Sequence, residues 1–324
     1  MTPRTGTPRT GTPKGAPRVL RVGTRGSRLA VAQTQLVASA LTKRTGIETE
    51  IVRVTTHGDV NRASLATLGG TGVFATELRD ALRAGECDLV VHSLKDLPTA
   101  PAPGLTIAAY PRRVDARDAL CSAGGADGPG LDALPHGAKV GTGSPRRIAQ
   151  LLEQRPDLEI RDIRGNVGTR LAFVTSGELD AVVLACAGLE RLGNTEVISE
   201  RLPLDRFPTA PGQGCLAVEA REGDEVPGVA ELDDLAARAA VLAERGVLAT
   251  LEAGCSAPVA ATGRLADGTL AVWASVYAGD GSRRLSAAGT APLPEGAPPS
   301  QIANELASAV AAELLDQGAA ALLA

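Results

Sequence analysis

Basic and hydroxyl-bearing side chains cluster where predicted strands end, and their types suggest ligand-binding chemistry. In the first predicted α/β segment these positions include Arg25, Ser27, Ser93, Lys95 and Asp96. The second segment adds Thr142, Gly143, Ser144, Arg146, Arg147, Arg164, Gly165 and Asn166 at strand ends, with Arg170 and Arg191 in the following helices. Ligands of open α/β sheets bind at the carboxyl ends of the strands. Because arginine captures carboxylate or phosphate groups through paired hydrogen bonds, the pattern predicts a ligand with several negative charges.

Each of these residues also has a simpler interpretation. An arginine at a strand end commonly forms a surface ion pair, although six of them together are harder to explain in this way. Lys95 and Asp96, directly after a strand, could form a salt bridge or a helix cap. Alternatively, the Asp96 carboxylate among these cations could orient an N–H group or stabilise a developing positive charge.

Cys255 differs from the other cysteines in its sequence surroundings. It follows a predicted helix end and Gly254, and its small neighbours would leave the sulfur approachable. The remaining cysteines, Cys87, Cys121, Cys186 and Cys215, lie in or beside apolar strands, where cysteine behaves as a small hydrophobic residue. Five scattered cysteines without a C-x-x-C pair argue against a disulfide framework or a structural zinc site and favour a reducing compartment. Composition alone leaves open whether Cys255 is functional.

Length and charge limit the classes of protein that fit. A chain of 324 residues predicts two or three domains. A net charge of −4 and an aromatic content of 2% argue against nucleic-acid binding. We find no apolar run of about 18 residues, no secretory signal, and no Walker, G-x-G-x-x-G or H-E-x-x-H motif. Three scattered histidines give no metal constellation.

Strand and helix patterns alternate along most of the chain. Strands are predicted at 19–24, 49–55 and 88–92, with helices at 28–45 and 73–84, and the rhythm restarts near residue 139. From about residue 232 a long helix precedes three strands and a final helix at 300–316. The sequence predicts an α/β fold with two doubly wound domains plus a small α+β C-terminal domain with an antiparallel sheet.

Two irregular crossings, near 110–114 and 206–214, divide the predicted domains. We expect a disordered Pro/Thr/Gly tail at 1–17, because this composition cannot build a core. Domain 1 comprises 18–112 and 215–231, domain 2 comprises 113–214, and domain 3 comprises 232–324. Two crossings between the first two domains would form a hinge.

Six stretches of this sequence resemble the porphobilinogen deaminase family, in the order that the family shows. They are GTRGSRLA (23–30) with Gln33, VHSLKDLP (91–98), VGTGSPRR (140–147), RGNVGTRL (164–171), PGQG (211–214) and LEAGC (251–255). The resemblance covers the chain from about residue 19 to its end. It implies that the first two domains resemble type II periplasmic binding proteins.

The family resemblance also implies a reaction and a cofactor. Four porphobilinogen molecules, the small-molecule substrate, would be joined head to tail in porphyrin and heme biosynthesis. Each would lose ammonia and give an electrophilic azafulvene, which the terminal pyrrole of the growing chain attacks. The primer would be a dipyrromethane held by a thioether to Cys255, and water would release the linear tetrapyrrole hydroxymethylbilane.

Site residues follow from the resemblance position by position. Asp96 matches the catalytic aspartate. Positions that bind cofactor or substrate, or that line the cleft, are matched by Arg25, Ser27, Gln33, Lys95, Ser144, Arg146, Arg147, Arg164, Asn166, Arg170, Arg191 and Gln213. Gly69, Gly70, Thr71 and Gly72 match a lid loop, with Phe74 beside it. This lid departs from the family, since Thr67 and Thr71 stand where lysines are often found, which puts an ion-pairing role of the loop in doubt.

Two other classes of protein share parts of this pattern. A two-lobed anion-binding module without catalysis would explain the cleft and the hinge, but it would need neither Cys255 nor Asp96 and should carry an export signal. An effector-binding domain of a regulator would need a helix-turn-helix segment, which the tail does not offer. We therefore expect a cytoplasmic, monomeric transferase with no nucleic-acid or membrane partner and no metal.

Overall fold

Two mixed five-stranded sheets and one antiparallel three-stranded sheet form the framework of the chain. They are seen in a computed structural model that describes residues 19–54, 73–254 and 257–323. The strands are β1 (Leu20–Arg25), β2 (Thr49–Val54), β3 (Leu89–Ser93), β4 (Leu105–Ala109), β5 (Asp118–Ser122), β6 (Lys139–Gly141), β7 (Glu159–Arg161), β8 (Ala181–Ala185), β9 (Glu200–Arg201), β10 (Leu216–Arg221), β11 (Val259–Ala266), β12 (Thr269–Tyr277) and β13 (Arg284–Pro292). The helices are α1 (Arg28–Thr45), α2 (Val73–Arg83), α3 (Pro145–Gln154), α4 (Val167–Thr175), α5 (Cys186–Arg191), α6 (Leu235–Thr250), α7 (Pro299–Asp316) and α8 (Ala320–Leu323).

The first sheet has the strand order β2-β1-β3-β10-β4. Strands β1, β2 and β3 run parallel, while β10 pairs antiparallel with both β3 and β4. Buried leucine and valine side chains on β1 and β3 explain why these strands lie at the sheet centre. Helix α1 follows β1 because Ser27 caps its first turn, and it ends at Gly46, whose φ of 70° suits glycine.

The second sheet repeats this plan with the order β7-β6-β8-β5-β9. Strands β6, β7 and β8 are parallel, and β5 pairs antiparallel with β8. The chain passes from the first sheet to the second after β4 and returns after β9 to form β10. Consequently, the carboxyl ends of the parallel strands in each sheet carry the polar segments that the sequence singled out.

The third sheet, β11-β12-β13, packs against α6 and α7. Alanines such as Ala239, Ala243, Ala303 and Ala307 are fully buried here, and their small side chains let the two helices lie close together. None of the helices in the described ranges is long and apolar enough to cross a membrane.

The predicted fold class, an α/β chain with a small antiparallel C-terminal sheet, is confirmed by these three sheets. Predicted and observed bounds differ by only a few residues for most elements; the helix predicted at 300–316, for example, is α7. Strands β4, β5 and β9 were not predicted. The predicted tail lies outside the described residues, and the domain boundaries stay a prediction.

Candidate active site

A small cavity of about 80 Å³ opens at the carboxyl ends of β1 and β3. Its lining includes Arg25, Ser27, Gln33, Ser93 and Asp96, which come from two separate stretches of sequence. Parallel pairing of β1 with β3 brings these stretches to one edge of the sheet, as the strand-end argument predicts.

Hydrogen bonds fix the side of the cavity that α1 forms. The Ser27 hydroxyl accepts a hydrogen bond from the Ala30 N–H at 3.2 Å and so caps α1. The buried Gln33 amide donates to the Ser93 hydroxyl at 2.9 Å. This contact ties α1 to the end of β3, immediately before the segment that carries Asp96.

Asp96 lies in a short 3₁₀ turn, Leu94–Asp96, that follows β3 directly. The Leu94 N–H donates to the Cys215 carbonyl on the β10 side, and the Leu97 N–H donates back to the Leu94 carbonyl, both at 3.1 Å. The Asp96 side chain is exposed, and no hydrogen bond or ion pair joins it to another side chain in the described part of the chain. Its carboxylate is therefore available to a ligand.

Lys95, in the same turn as Asp96, forms a hydrogen bond with Gln213. Its ammonium donates to Oε1 of Gln213 at 3.2 Å. Burial, reinforced by the charge of Arg147, lowers the pKa of Lys95 to about 8, although Asp96 and Asp118 act in the opposite direction. The negative charges around Lys95 are therefore too few to keep its pKa at the usual value.

A fully buried carboxylate, Asp118 at the start of β5, organises the neighbouring arginines. Its two oxygens accept from Nη2 of Arg146 at 2.8 Å and from Nη2 of Arg147 at 2.6 Å, and Nε2 of Gln213 donates to it at 2.8 Å. Burial opposes its ionisation, but the two guanidinium groups and these hydrogen bonds hold the pKa of Asp118 well below its usual range. The cluster of Asp118, Arg146, Arg147, Gln213 and Lys95 therefore carries more positive than negative charge.

The two arginines of this cluster are less exposed than the sequence suggested. Arg146 also donates to Gln150 Oε1 at 2.7 Å and to the Pro208 carbonyl at 2.9 Å, and Arg147 donates to the Val183 carbonyl at 3.0 Å. Both side chains are less than a tenth exposed. Their contact with a ligand carboxylate stays a prediction.

The remaining predicted residues of the second sheet lie near the starts of α3 and α4. Ser144 precedes α3, and no hydrogen bond engages its side chain with the helix N-terminus. Asn166 caps α4 by accepting from the Thr169 N–H at 2.9 Å. Arg164 is exposed beside Asp162, whereas Arg170 is half-buried and donates to the Gly165 carbonyl at 2.9 Å.

The charges around Arg170 extend the basic surface toward Asp96. Burial, together with Arg147 and Arg164, lowers the pKa of Arg170, while Asp162 and Asp96 oppose this shift. Arg191, the last residue of α5, donates to the Gly214 carbonyl at 2.7 Å. Arg191 therefore contacts the segment that leads from the second sheet back to β10 in the first sheet.

Some predicted residues cannot be placed. Cys255 and the lid residues Gly69, Gly70, Thr71 and Gly72 lie outside the described residues. The backbone of Phe74 belongs to α2, but its side chain is not described. Within the described ranges, no group of three or more His, Cys, Asp or Glu side chains could hold a metal ion.

Two buried acids near the site escaped the sequence reasoning. One is Asp118; the other is Glu244 on α6, which accepts from Nη1 of Arg113 at 2.5 Å and from the Gly212 and Gly263 N–H groups at 2.7 and 2.6 Å. A signal for Glu244 did exist, because it occupies the buried face of a helix that is otherwise alanine- and valine-rich. A charged residue at such a position needs partners.

Comparison with known proteins gives a consistent result. The model "Porphobilinogen deaminase, dipyromethane cofactor binding domain" matches residues 20–227, and "Porphobilinogen deaminase, C-terminal domain" matches 238–316. Porphobilinogen deaminase of Leifsonia xyli subsp. xyli is 58% identical over 311 residues, and that of Thermobifida fusca is 50% identical over 308. Each alignment covers 94% of this chain and 94% and 95% of the respective relative. Among solved structures, the methionine-binding protein MetQ superposes with a TM-score of 0.42 at 11% identity, covering 67% of this chain and 88% of MetQ. With both family models matched in order and half or more of the residues shared with full-length relatives, the chain belongs to the porphobilinogen deaminase family.

Proposed function

We propose that the protein is a hydroxymethylbilane synthase that condenses four porphobilinogen molecules, with loss of ammonia, on a dipyrromethane primer anchored at Cys255. The observation that carries this assignment is the position of Asp96. Its carboxylate has no described side-chain partner and lines the cavity at the end of β3, with Arg25 in the same lining and Lys95 next to it in sequence.

The residues present fit a dipyrromethane group, because that group carries carboxylates. The cluster around Asp118 holds two guanidinium groups and one ammonium group against this single carboxylate. An added carboxylate near Lys95 would restore its pKa and compensate the excess charge. When bound, the dipyrromethane supplies the pyrrole end to which substrate units are joined.

Asp96 is the catalytic residue in this proposal. A carboxylate without a protein partner can accept hydrogen bonds from pyrrole N–H groups, which sets the orientation of the substrate. It can also stabilise the positive charge that develops as ammonia departs. Since the turn that carries Asp96 is fixed at both ends by backbone hydrogen bonds, little rearrangement is needed to place this charge.

The basic residues bind and orient the acidic substrate. We assign the acetate and propionate groups to Arg25 in the cavity lining, to Lys95 in the Leu94–Asp96 turn, and to Arg164 and Arg170 before and within α4. Ser27, Gln33, Ser144 and Asn166 add polar groups at the same strand ends. Arg146, Arg147 and Gln213, which are joined through Asp118, and Arg191, which donates to the Gly214 carbonyl, are assigned to the cofactor or substrate as well.

We also propose that the protein acts as a monomer in the cytoplasm, with the domain boundaries predicted from the sequence. The four described cysteines are unpaired and buried, which suits a reducing compartment. Burial raises the pKa of each, to about 11 for Cys87 and about 12 for Cys121, Cys186 and Cys215, so these four are poor nucleophiles at neutral pH.

Intact mass of the purified protein, beside that of Cys255→Ala, tests the function directly. We expect an excess of two pyrrole units in the wild type only. An excess retained in Cys255→Ala would place the anchor on another residue. If neither protein carries the excess, incubation with porphobilinogen should produce it in the wild type together with free ammonia. If neither the mass increment nor ammonia appears, the chain is a binding module.

The role of Asp96 has its own test. Asp96→Asn should retain the fold and nearly abolish turnover, because the amide keeps the shape but loses the charge. Circular dichroism reports the fold, and release of ammonia reports turnover. A normal rate in Asp96→Asn would contradict the proposed mechanism.

A further inference from the structure

Arg245, on α6, makes an unusual set of contacts for a half-buried cation. Its Nη1 donates to the Leu97 carbonyl at 2.9 Å and to the Leu94 carbonyl at 3.4 Å, and its Nη2 donates to the Pro98 carbonyl at 2.6 Å. No carboxylate in the described ranges lies within ion-pair distance of it. All the hydrogen bonds described for this guanidinium group therefore go to backbone carbonyl oxygens.

Those carbonyls flank Asp96 on both sides. Leu94 begins the 3₁₀ turn, and Leu97 and Pro98 follow it, so one guanidinium group joins the entry and the exit of the catalytic turn. The Asp96 side chain makes no described hydrogen bond of its own, so the backbone alone sets the position of its carboxylate. A rigid planar donor suits this task better than a flexible ammonium group.

The cost of placing Arg245 there indicates that the contact is more than a surface interaction. Burial, with the nearby positive charge of Arg79, lowers the pKa of Arg245, while Tyr110 partly opposes this shift. Desolvation without a counter-ion is unfavourable, and the three carbonyl contacts help to offset it.

The position of Arg245 in the chain adds a second link. Helix α6 ends at Thr250, shortly before Cys255 in the sequence. Through Arg245, the helix that leads to the proposed cofactor anchor also holds the turn that carries the catalytic carboxylate.

We propose that Arg245 is a positioning residue for catalysis, which holds the Leu94–Pro98 backbone so that Asp96 meets the reacting atoms. The proposal rests on the proposed function, in which Asp96 is the catalytic residue. Arg245 itself touches no substrate. Misplacement of a catalytic group by about 1 Å can reduce a rate by roughly 100-fold, so loosening this clamp has a measurable effect.

Arg238 provides a matched control on the same helix. It lies seven residues earlier, about two helical turns, and so on the same face of α6. It donates to Asp233 Oδ2 at 2.7 Å and to the Ala108 carbonyl at 3.4 Å, away from the catalytic turn. Arg238→Lys weakens an ion pair with Asp233 and a contact with the Tyr110 ring at 4.8 Å, whereas Arg245→Lys removes contacts with the Asp96 turn.

We expect Arg245→Lys to lower kcat by about 10- to 100-fold with KM changed less than about threefold, and Arg238→Lys to leave kcat within about twofold. Rates are normalised to the fraction that carries the cofactor by intact mass. Hydrogen exchange of the Leu97 amide, which bonds the Leu94 carbonyl, should accelerate in Arg245→Lys and not in Arg238→Lys. Arg245→Gln, which keeps two N–H donors, serves as the second variant should the lysine variant fold poorly.

A double variant separates the two hypotheses. If Asp96→Asn is inactive and Arg245→Lys adds little to it, the two residues act through one step, as proposed. If Arg245→Lys behaves like Arg238→Lys, or changes only KM, the positioning role is refuted while the proposed function stands. If Asp96→Asn is fully active, the proposed function itself fails.

Discussion

Asp118→Asn tests whether the buried carboxylate organises the basic side of the site. The amide keeps the size of the side chain but removes its charge, and its NH2 group faces a donor where an acceptor is needed. Asp118 is 1% exposed and accepts three hydrogen bonds of 2.6–2.8 Å from Arg146, Arg147 and Gln213. Leaving buried charges uncompensated costs about 3–5 kcal/mol, a large part of the roughly 5–15 kcal/mol that stabilises a typical protein.

The assay is urea unfolding, with the change taken from the midpoint at an unchanged slope. Asp115→Asn is the matched control, since Asp115 lies three residues earlier and pairs with Arg117 at 2.8 Å and with Arg201 at 3.4 Å. The side chains of these two arginines are 40% and 37% exposed, so solvent screens both pairs and their loss should cost about 1 kcal/mol or less.

The same variant should also affect catalysis. Asp118 raises the pKa of Lys95, which otherwise falls through burial and the charge of Arg147. In Asp118→Asn the alkaline limb of kcat/KM should therefore begin at lower pH than in the wild type. Equal destabilisation by Asp118→Asn and Asp115→Asn, with an unmoved alkaline limb, would refute the view that Asp118 is the organising counter-ion.

Three further predictions concern pH and backbone geometry. In the protein without its dipyrromethane, the pKa of Lys95 is lowered to about 8, so Lys95 loses its charge as pH rises through 8. Loading of the cofactor, followed by intact mass, should therefore fall there in the wild type and stay flatter in Lys95→Arg, which is always charged; the same fall in both would contradict this. Gly212→Ala should lower stability by about 1–2 kcal/mol and should also lower turnover. The reason is that φ of Gly212 is +76° and that the added Cβ would lie 2.9 Å from Leu94 Cγ, in the turn that carries Asp96. Unfolding and rate measurements that match the wild type would contradict this prediction. Despite burial, hydrogen bonds from His92 and Arg79 hold the pKa of Glu219 below its usual range, so its stabilising contribution is present above about pH 4.5 and lost as pH falls through the lowered value. Acid unfolding should therefore be steeper in the wild type than in Glu219→Gln, and identical acid limbs would oppose this interpretation.

The sequence allowed the fold class to be predicted because its strongest patterns are local. Helix α1 shows a serine cap, helical spacing and a glycine stop, and α7 shows a comparable periodicity. Strands β4 and β5 were missed because they are short and contain alanine, aspartate or serine, which have weak strand propensity. Strand β4 becomes a strand by pairing with β10, more than 100 residues later, and no local signal reports such a partner.

The candidate site shows the same division. Strand-end reasoning identified the groups that face the cavity, such as Arg25 and Asp96, because parallel strands bring their carboxyl ends together. It did not identify Asp118, the buried carboxylate that pairs with two of the arginines. Asp118 contacts Arg146 only after β5 has inserted beside β8, so its role follows from tertiary pairing rather than from residue spacing.

The placement of β10 has a consequence for how the chain is made. The ribosome synthesises the chain from its N-terminus, so β3 and β4 are made long before β10. In the folded sheet, however, β10 lies between these two strands. The second sheet draws all its strands from residues 118–201 and can be complete while the first still lacks its fourth strand in spatial order. Until residue 221 emerges, β3 and β4 each present an unpaired edge, the kind of surface that promotes aggregation. The N-terminal unit is therefore the later of the two to close during biosynthesis, and a translational pause before residue 216 would prolong its exposure.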